Sequence, residues 1–253
     1  MRWSVCVLIG ISVLLVAAAP AEAVPPGARV RVVHASPDAP PVDVWVDGMP
    51  GLLGVNFGQA TPYAPLAFGR HRFQVVPAGE VEPVVIDANL FLRPNRDYTV
   101  VAVGFLSDIA PLVLRDRNNF PPLSLARVRF VHASPDAPPV DIAVTGGPIL
   151  FADVAFTEAP QYIQVPPGTY NLEVRVAGTD IVVLSVPGVP LEGGTVYTVF
   201  AIGLAFPDTG DPPLQALLTV DAFSRFKALL PSLDAPITLE QPISPRVRSE
   251  RRR

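Results

Sequence analysis

Short strand-type runs recur along the chain, each rich in Val, Ile, Phe or Tyr and each closed by Gly, Pro, Asp or Asn. β-Branched and aromatic enrichment between such breaks is the signature of strands. The pattern predicts strands at Ala28–His34, Val42–Val46, Leu52–Phe57, Arg70–Val76, Pro83–Ala88, Asp97–Phe105 and Pro111–Leu114. It predicts a second series at Ala126–His132, Val140–Val144, Ile149–Ala155, Thr169–Val176, Ile181–Val186, Thr195–Gly203 and Gln215–Val220. Asp47-Gly48 and Gly146-Gly147 are hairpin-type breaks between neighbouring runs. The runs from Tyr98 and from Tyr197 are apolar and free of proline, as strands paired on both sides require.

The two series are copies of one another. His34–Asp43 and His132–Asp141 both read His-Ala-Ser-Pro-Asp-Ala-Pro-Pro-Val-Asp, and Arg31–Gly48 matches Arg129–Gly146 at 14 of 18 positions. Downstream the offset grows from 98 to 99, bringing Tyr63 to Tyr162, Gly69 to Gly168, Gly79 to Gly178 and Tyr98-Thr99-Val100 to Tyr197-Thr198-Val199. A nearly constant offset means that a whole domain is duplicated. The expected architecture is all-β: two tandem Ig-like or prealbumin-like antiparallel β-sandwiches. The boundaries are 1–23 for a signal peptide, 27–117 and 125–222 for the sandwiches, 118–124 for a linker, and 223–253 for a largely disordered tail. A short helix is expected at Phe223–Leu230. The paired glycines read as turns or close contacts.

The N-terminus adds a location. Met1-Arg2, an apolar run from Val5 to Ala19 and Ala21-Glu22-Ala23 form a secretory signal with cleavage after Ala23. The run is shorter than the roughly 20 residues of a spanning helix, so no transmembrane segment is expected in the mature chain. Cys6 is the sole cysteine, and its loss with the signal excludes disulfides, thiolate metal sites and a cysteine nucleophile. The chain carries a net charge of −4, although Arg246–Arg253 alone holds five arginines and one glutamate. So acidic a body repels nucleic acid. The basic tail is suited to anionic polymer or lipid headgroups, or is simply solvated.

The duplicated loop is the chemically distinctive feature. Ser36-Pro37-Asp38-Ala39 and Ser134-Pro135-Asp136-Ala137 fit a type I turn, and the Pro pair after each forces an extended exit. His34, Asp38 and Asp43, with His132, Asp136 and Asp141, are then expected to brace the loop by side-chain hydrogen bonds. The metal alternative uses the same six residues, one imidazole and two carboxylates per copy, fewer ligands than zinc or calcium usually takes. A catalytic alternative would make Ser36, His34 and Asp38 a triad, but triads assemble from separate elements rather than from one stiff loop. His71, between Arg70 and Arg72, aligns with Tyr170 and reads as part of a basic strand face. Tyr63, Tyr98 and their copies read as core residues with anchored hydroxyls. Trp45 aligns with Ala143 and lies outside the common framework.

Val33–Asp43 and Val131–Asp141, with the downstream glycines and Tyr-Thr-Val, resemble the DUF4397 family. That resemblance covers nearly all of residues 28–222. It implies β-rich tandem domains in secreted or cell-surface proteins, and it brings no catalytic residue, cofactor or ligand. The sequence therefore leads to a secreted, non-catalytic cell-surface or extracellular-matrix module. Such a module would bind a protein or glycan partner, or act as a spacer. The alternatives are ligand or metal binding through the loop and, third, an extracytoplasmic hydrolase. No cofactor is expected.

Overall fold

The computed structural model describes residues 27–224. The expected signal peptide, the 225–230 part of the expected helix and the basic tail lie outside the described residues. Each repeat contributes eight strands. In the first these are β1 (Ala28–His34), β2 (Val42–Val46), β3 (Met49–Val55), β4 (Ala64–Leu66), β5 (Gly69–Pro77), β6 (Ile86–Leu92), β7 (Asp97–Val103) and β8 (Ala110–Asp116). The second holds β9 (Ala126–His132), β10 (Val140–Val144), β11 (Ile149–Val154), β12 (Ile163–Val165), β13 (Gly168–Val176), β14 (Val182–Leu191), β15 (Thr195–Ile202) and β16 (Gln215–Phe223). The sheets run β4-β1-β7-β8 and β3-β2-β5-β6 in the first repeat, and β12-β9-β15-β16 and β11-β10-β13-β14 in the second. No helix among the described residues is long and apolar enough to cross a membrane.

β7 and β15 are interior strands, as their proline-free apolar runs predict. The sheets are not purely antiparallel, however. β1 runs parallel to β7, and β9 parallel to β15. Parallel neighbours need a long crossover, and nearly the whole repeat lies between each pair. Other differences are local. β4 and β12 have three residues each, too short to show a period of two. β6 begins at Ile86: its inward residues Ile86, Ala88, Leu90 and Leu92 join the core, while its backbone pairs with β5. β14 continues past the predicted end at Val186, through Pro187 and Gly188, because it is an edge strand and its free side tolerates proline. Phe223 closes β16 rather than opening a helix.

Asp47 and Gly48 both have positive φ, 53° and 77°, the conformation that a two-residue hairpin favours between β2 and β3. Gly79 and Gly178 also turn at positive φ, but Gly168 does not, and a side chain there would meet only the Tyr170 ring at an ordinary distance.

Each sandwich has its own core. Val30, Val32, Val44, Phe73, Val75 and Tyr98 are among the residues that fill the first. The second is built around Ala126, Val128, Leu172 and Tyr197, continuing into Phe130, Ile142, Val174 and Ala201. A further core joins the repeats. Val33, Val101 and Leu114 of the first pack with Val131, Phe200 and Ile202 of the second. These residues lie on β1, β7, β8, β9 and β15, so sheet β4-β1-β7-β8 lies back to back with β12-β9-β15-β16. Val33, Val101, Val131 and Phe200 have no exposed surface, and each such burial stabilises by roughly 1.5–3 kcal/mol relative to exposure. The segment 118–124 is tied down as well. Arg127 donates to the Asn119 carbonyl at 2.8 Å, and Pro122 O accepts from Leu125 N and Gly194 N.

Candidate functional site

The duplicated loop follows β1 in the first repeat and β9 in the second. Its side chains are turned onto backbone. Asp43 Oδ1 accepts from Gly54 N at 2.7 Å and Oδ2 from Gly79 N at 2.9 Å, tying β2 to β3 and to the turn after β5. Asp141 repeats this with Asp153 N at 2.7 Å and Gly178 N at 2.9 Å. Asp38 accepts from Leu106 N at 2.7 Å, while Asp136 accepts from Ala205 N and Phe206 N at 2.8 Å. Each loop is thereby anchored to the segment after the long interior strand. Ser36–Ala39 bends without a backbone hydrogen bond across the turn; Ser36 Oγ reaches Asp38 at 3.4 Å instead. The turn is of the open kind. Ser134 Oγ reaches Asp136 at 3.2 Å and donates to Gly203 O at 2.6 Å.

His34 and His132 are fully buried. Their Nε2 atoms face Pro40 O at 3.0 Å and Pro138 O at 3.1 Å. A carbonyl only accepts, so Nε2 carries the proton. The rings stand edge-on to Phe57 and Phe156, with centroids 6.3 Å apart in both copies. Neither serine hydroxyl bonds an imidazole. Among the described residues no group of three or more His, Cys, Asp and Glu side chains converges; His34, Asp38 and Asp43 share a loop but point to separate backbone partners.

Burial holds both imidazoles below the ordinary histidine pKa. The unfolded chain takes up these protons near pH 6.5 while the native one resists. Their stabilising contribution is therefore full above about pH 6.5 and is lost as pH falls toward the native pKa. Asp221 acts with the opposite sign: burial raises its pKa, against the pull of Arg31, so its contribution grows as pH falls. The His34→Gln/His132→Gln variant isolates the histidine part. Its melting temperature should drop less than that of the wild type between about pH 7 and pH 5. Equal drops in the two proteins would contradict buried neutral imidazoles.

A second polar cluster lies between the repeats. Arg31 Nε donates to Thr99 Oγ1 at 2.8 Å, and Thr99 donates to Asp116 Oδ2 at 2.7 Å. Asp116 Oδ1 accepts from Arg129 of the other repeat at 2.7 Å, and Arg129 also donates to Thr198 at 3.0 Å. Thr198 donates to Asp221, whose Oδ1 stands 2.7 Å from Arg31. Six side chains thus close a ring across the seam. The Arg31–Asp221 contact is an ion pair without the alignment of a hydrogen bond. Both ion pairs are almost fully buried. The contacts are reciprocal, as in an isologous dimer interface. Tyr63 and Tyr162 cover the arginines, with Arg31 4.8 Å and Arg129 4.7 Å from the ring centres. Tyr63 donates to Asp116 at 2.7 Å, whereas the buried Tyr162 hydroxyl has no partner; burial pushes its pKa up to about 12. These tyrosines belong to the seam, not to a sandwich core. Tyr98 and Tyr197 do lie in the cores, their hydroxyls accepting from Arg93 N and Glu192 N.

The remaining sequence candidates are structural in position. His71 bridges Asp47 at 2.6 Å and Ala67 O at 2.9 Å, and its counterpart Tyr170 bonds Pro166 O at the same spacing. Trp45 is half-buried on β2.

Fold and site together define a pair of tandem all-β sandwiches, each carrying one braced loop, fused along a buried polar seam. The family profile described as a domain of unknown function, DUF4397, matches residues 28–143 and again 126–228. The chain belongs to this family, with the domain present twice. The two matches overlap over the stretch that holds the second copy of the loop. No curated protein matches the chain.

Proposed function

We propose that the protein is an exported, non-catalytic surface or matrix module whose two domains act as one rigid body, in binding or adhesion or as a spacer. One observation carries this: the motif's polar groups are turned inward onto their own backbone in both copies, so the most distinctive sequence in the chain braces a scaffold. Identity between the copies fits a folding requirement that both domains share. The buried seam supports rigidity, and the signal-like N-terminus supports export. A prealbumin-like sandwich is favoured over an Ig-like one. Ig sheets keep strands A and B together, whereas β1 and β2 lie in opposite sheets, and β1 pairs in parallel with β7.

Fractionation of cells that make the protein tests this reading. Mature material should lie outside the cytoplasmic membrane and begin at Val24. Cytoplasmic protein that retains Met1 would contradict it.

A further inference from the structure

The seam has two mouths, built from equivalent positions, and they have diverged. At one, Arg115, Asp116 and Arg117 stand where the other has Val220, Asp221 and Ala222. The register supports the match, since Arg115 lies opposite Tyr98 and Val220 opposite Tyr197. Arg127 and Arg29 are likewise equivalent, but their cross-strand neighbours differ. Arg29 faces Asp97 and pairs with it at 2.7 Å. Arg127 faces Val196, and its side chain instead donates to the Arg117 and Asn119 carbonyls. The arginine-lined mouth opens on a cavity of about 560 Å³, to which Arg96 also contributes. That volume lies within the usual range for ligand sites.

This mouth concentrates positive charge on a chain whose net charge is −4. The one acidic residue of its lining, Asp116, has its carboxylate buried and engaged by Arg129, Thr99 and Tyr63. Arg96, Arg115 and Arg117 make no side-chain hydrogen bond or ion pair with described residues, so their forks are free for a planar oxyanion. Asn119 and Gln164 add uncharged polar groups on the same wall, beside the Tyr162 ring. Shared structural needs explain why the ring residues match between repeats. They do not explain arginines present at one mouth only.

We infer that this cleft binds a short acidic oligosaccharide, its carboxylate or sulfate held by Arg115, Arg117, Arg96 and Arg127 and its hydroxyls by Asn119 and Gln164. The inference rests on the binding form of the proposed function; a pure spacer would lack this site and still be exported and rigid. Titration calorimetry on the mature chain, with trigalacturonate and a sulfated disaccharide as probes and maltotriose as the neutral control, tests it. At least one acidic probe should bind, with a preference of about tenfold or more over maltotriose. Arg115→Val/Arg117→Ala, which copies the other mouth, should weaken that binding by about tenfold or more while the melting temperature stays close to wild type. Substituting Arg251, Arg252 and Arg253 with serine should leave the affinity within about twofold. The inference fails if neither acidic probe binds. It also fails if the tail variant loses binding while the cleft variant keeps it, or if an acidic peptide or a short oligonucleotide binds as tightly as the sugars. Correct export of a chain that binds no probe would remove the ligand and leave the exported scaffold standing.

Discussion

Replacing Arg129 with methionine should lower stability by about 3–5 kcal/mol, the range for removing one partner of a buried ion pair. The side chains of Arg129 and Asp116 are 4% and 0% exposed, so water cannot replace the lost guanidinium. Asp116 would keep Thr99 and Tyr63 as donors but lose its cross-seam charge partner. For a chain of this size the loss corresponds to a fall in melting temperature of about 6–20 °C. Adding Asp116→Asn to the same chain should recover part of that fall, because no uncompensated carboxylate remains buried. A fall of less than about 1 kcal/mol, typical of exposed pairs, would mean that the seam is open to solvent.

The second large effect belongs to the duplicated loop. Asp43→Ala should cost about 1–3 kcal/mol or somewhat more, since two backbone N–H groups lose a charged acceptor together. Asp141→Ala should cost a similar amount, because its two hydrogen bonds have the same lengths and equivalent donors. Because the repeats share a core, either change should lower the melting of the whole unit, not of its own repeat alone. Added EDTA should shift neither the wild type nor the variants. A chelator effect on the wild type that the variants lack would instead favour a bound metal ion at the loop.

Much of the fold is legible in the sequence for simple reasons. Asp47-Gly48 is a turn because its residues tolerate positive φ, and β7 and β15 are interior because nothing in them interrupts pairing. The brace role expected of Asp43 depends on partners that the string itself does not contain. Gly54 and Gly79 lie 11 and 36 residues away, and only the fold brings them to the carboxylate. The seam is harder still to read. In β1 the alternation Arg29, Arg31 looks like a solvated face, and Arg29 is indeed exposed, yet Arg31 is 2% exposed. A signal did exist: Val32-Val33 and Val100–Val103 are apolar on both faces of their strands, which means that both faces are covered. That pattern also suits an interior strand, and periodicity alone does not say that the second cover is the other repeat. Asp116 and Asp221 give no local hint, because their partners lie on different strands, in part across the seam. The parallel pairing of β1 with β7 is equally invisible, since strand patterns carry no direction.

The shared core and the buried ring should make the two repeats one cooperative unit. Scanning calorimetry of the protein checks this. One transition, with calorimetric and van't Hoff enthalpies equal for the whole protein, is the predicted result. Two separable transitions, each carrying about half the enthalpy and each answering only to substitutions in its own repeat, would contradict it.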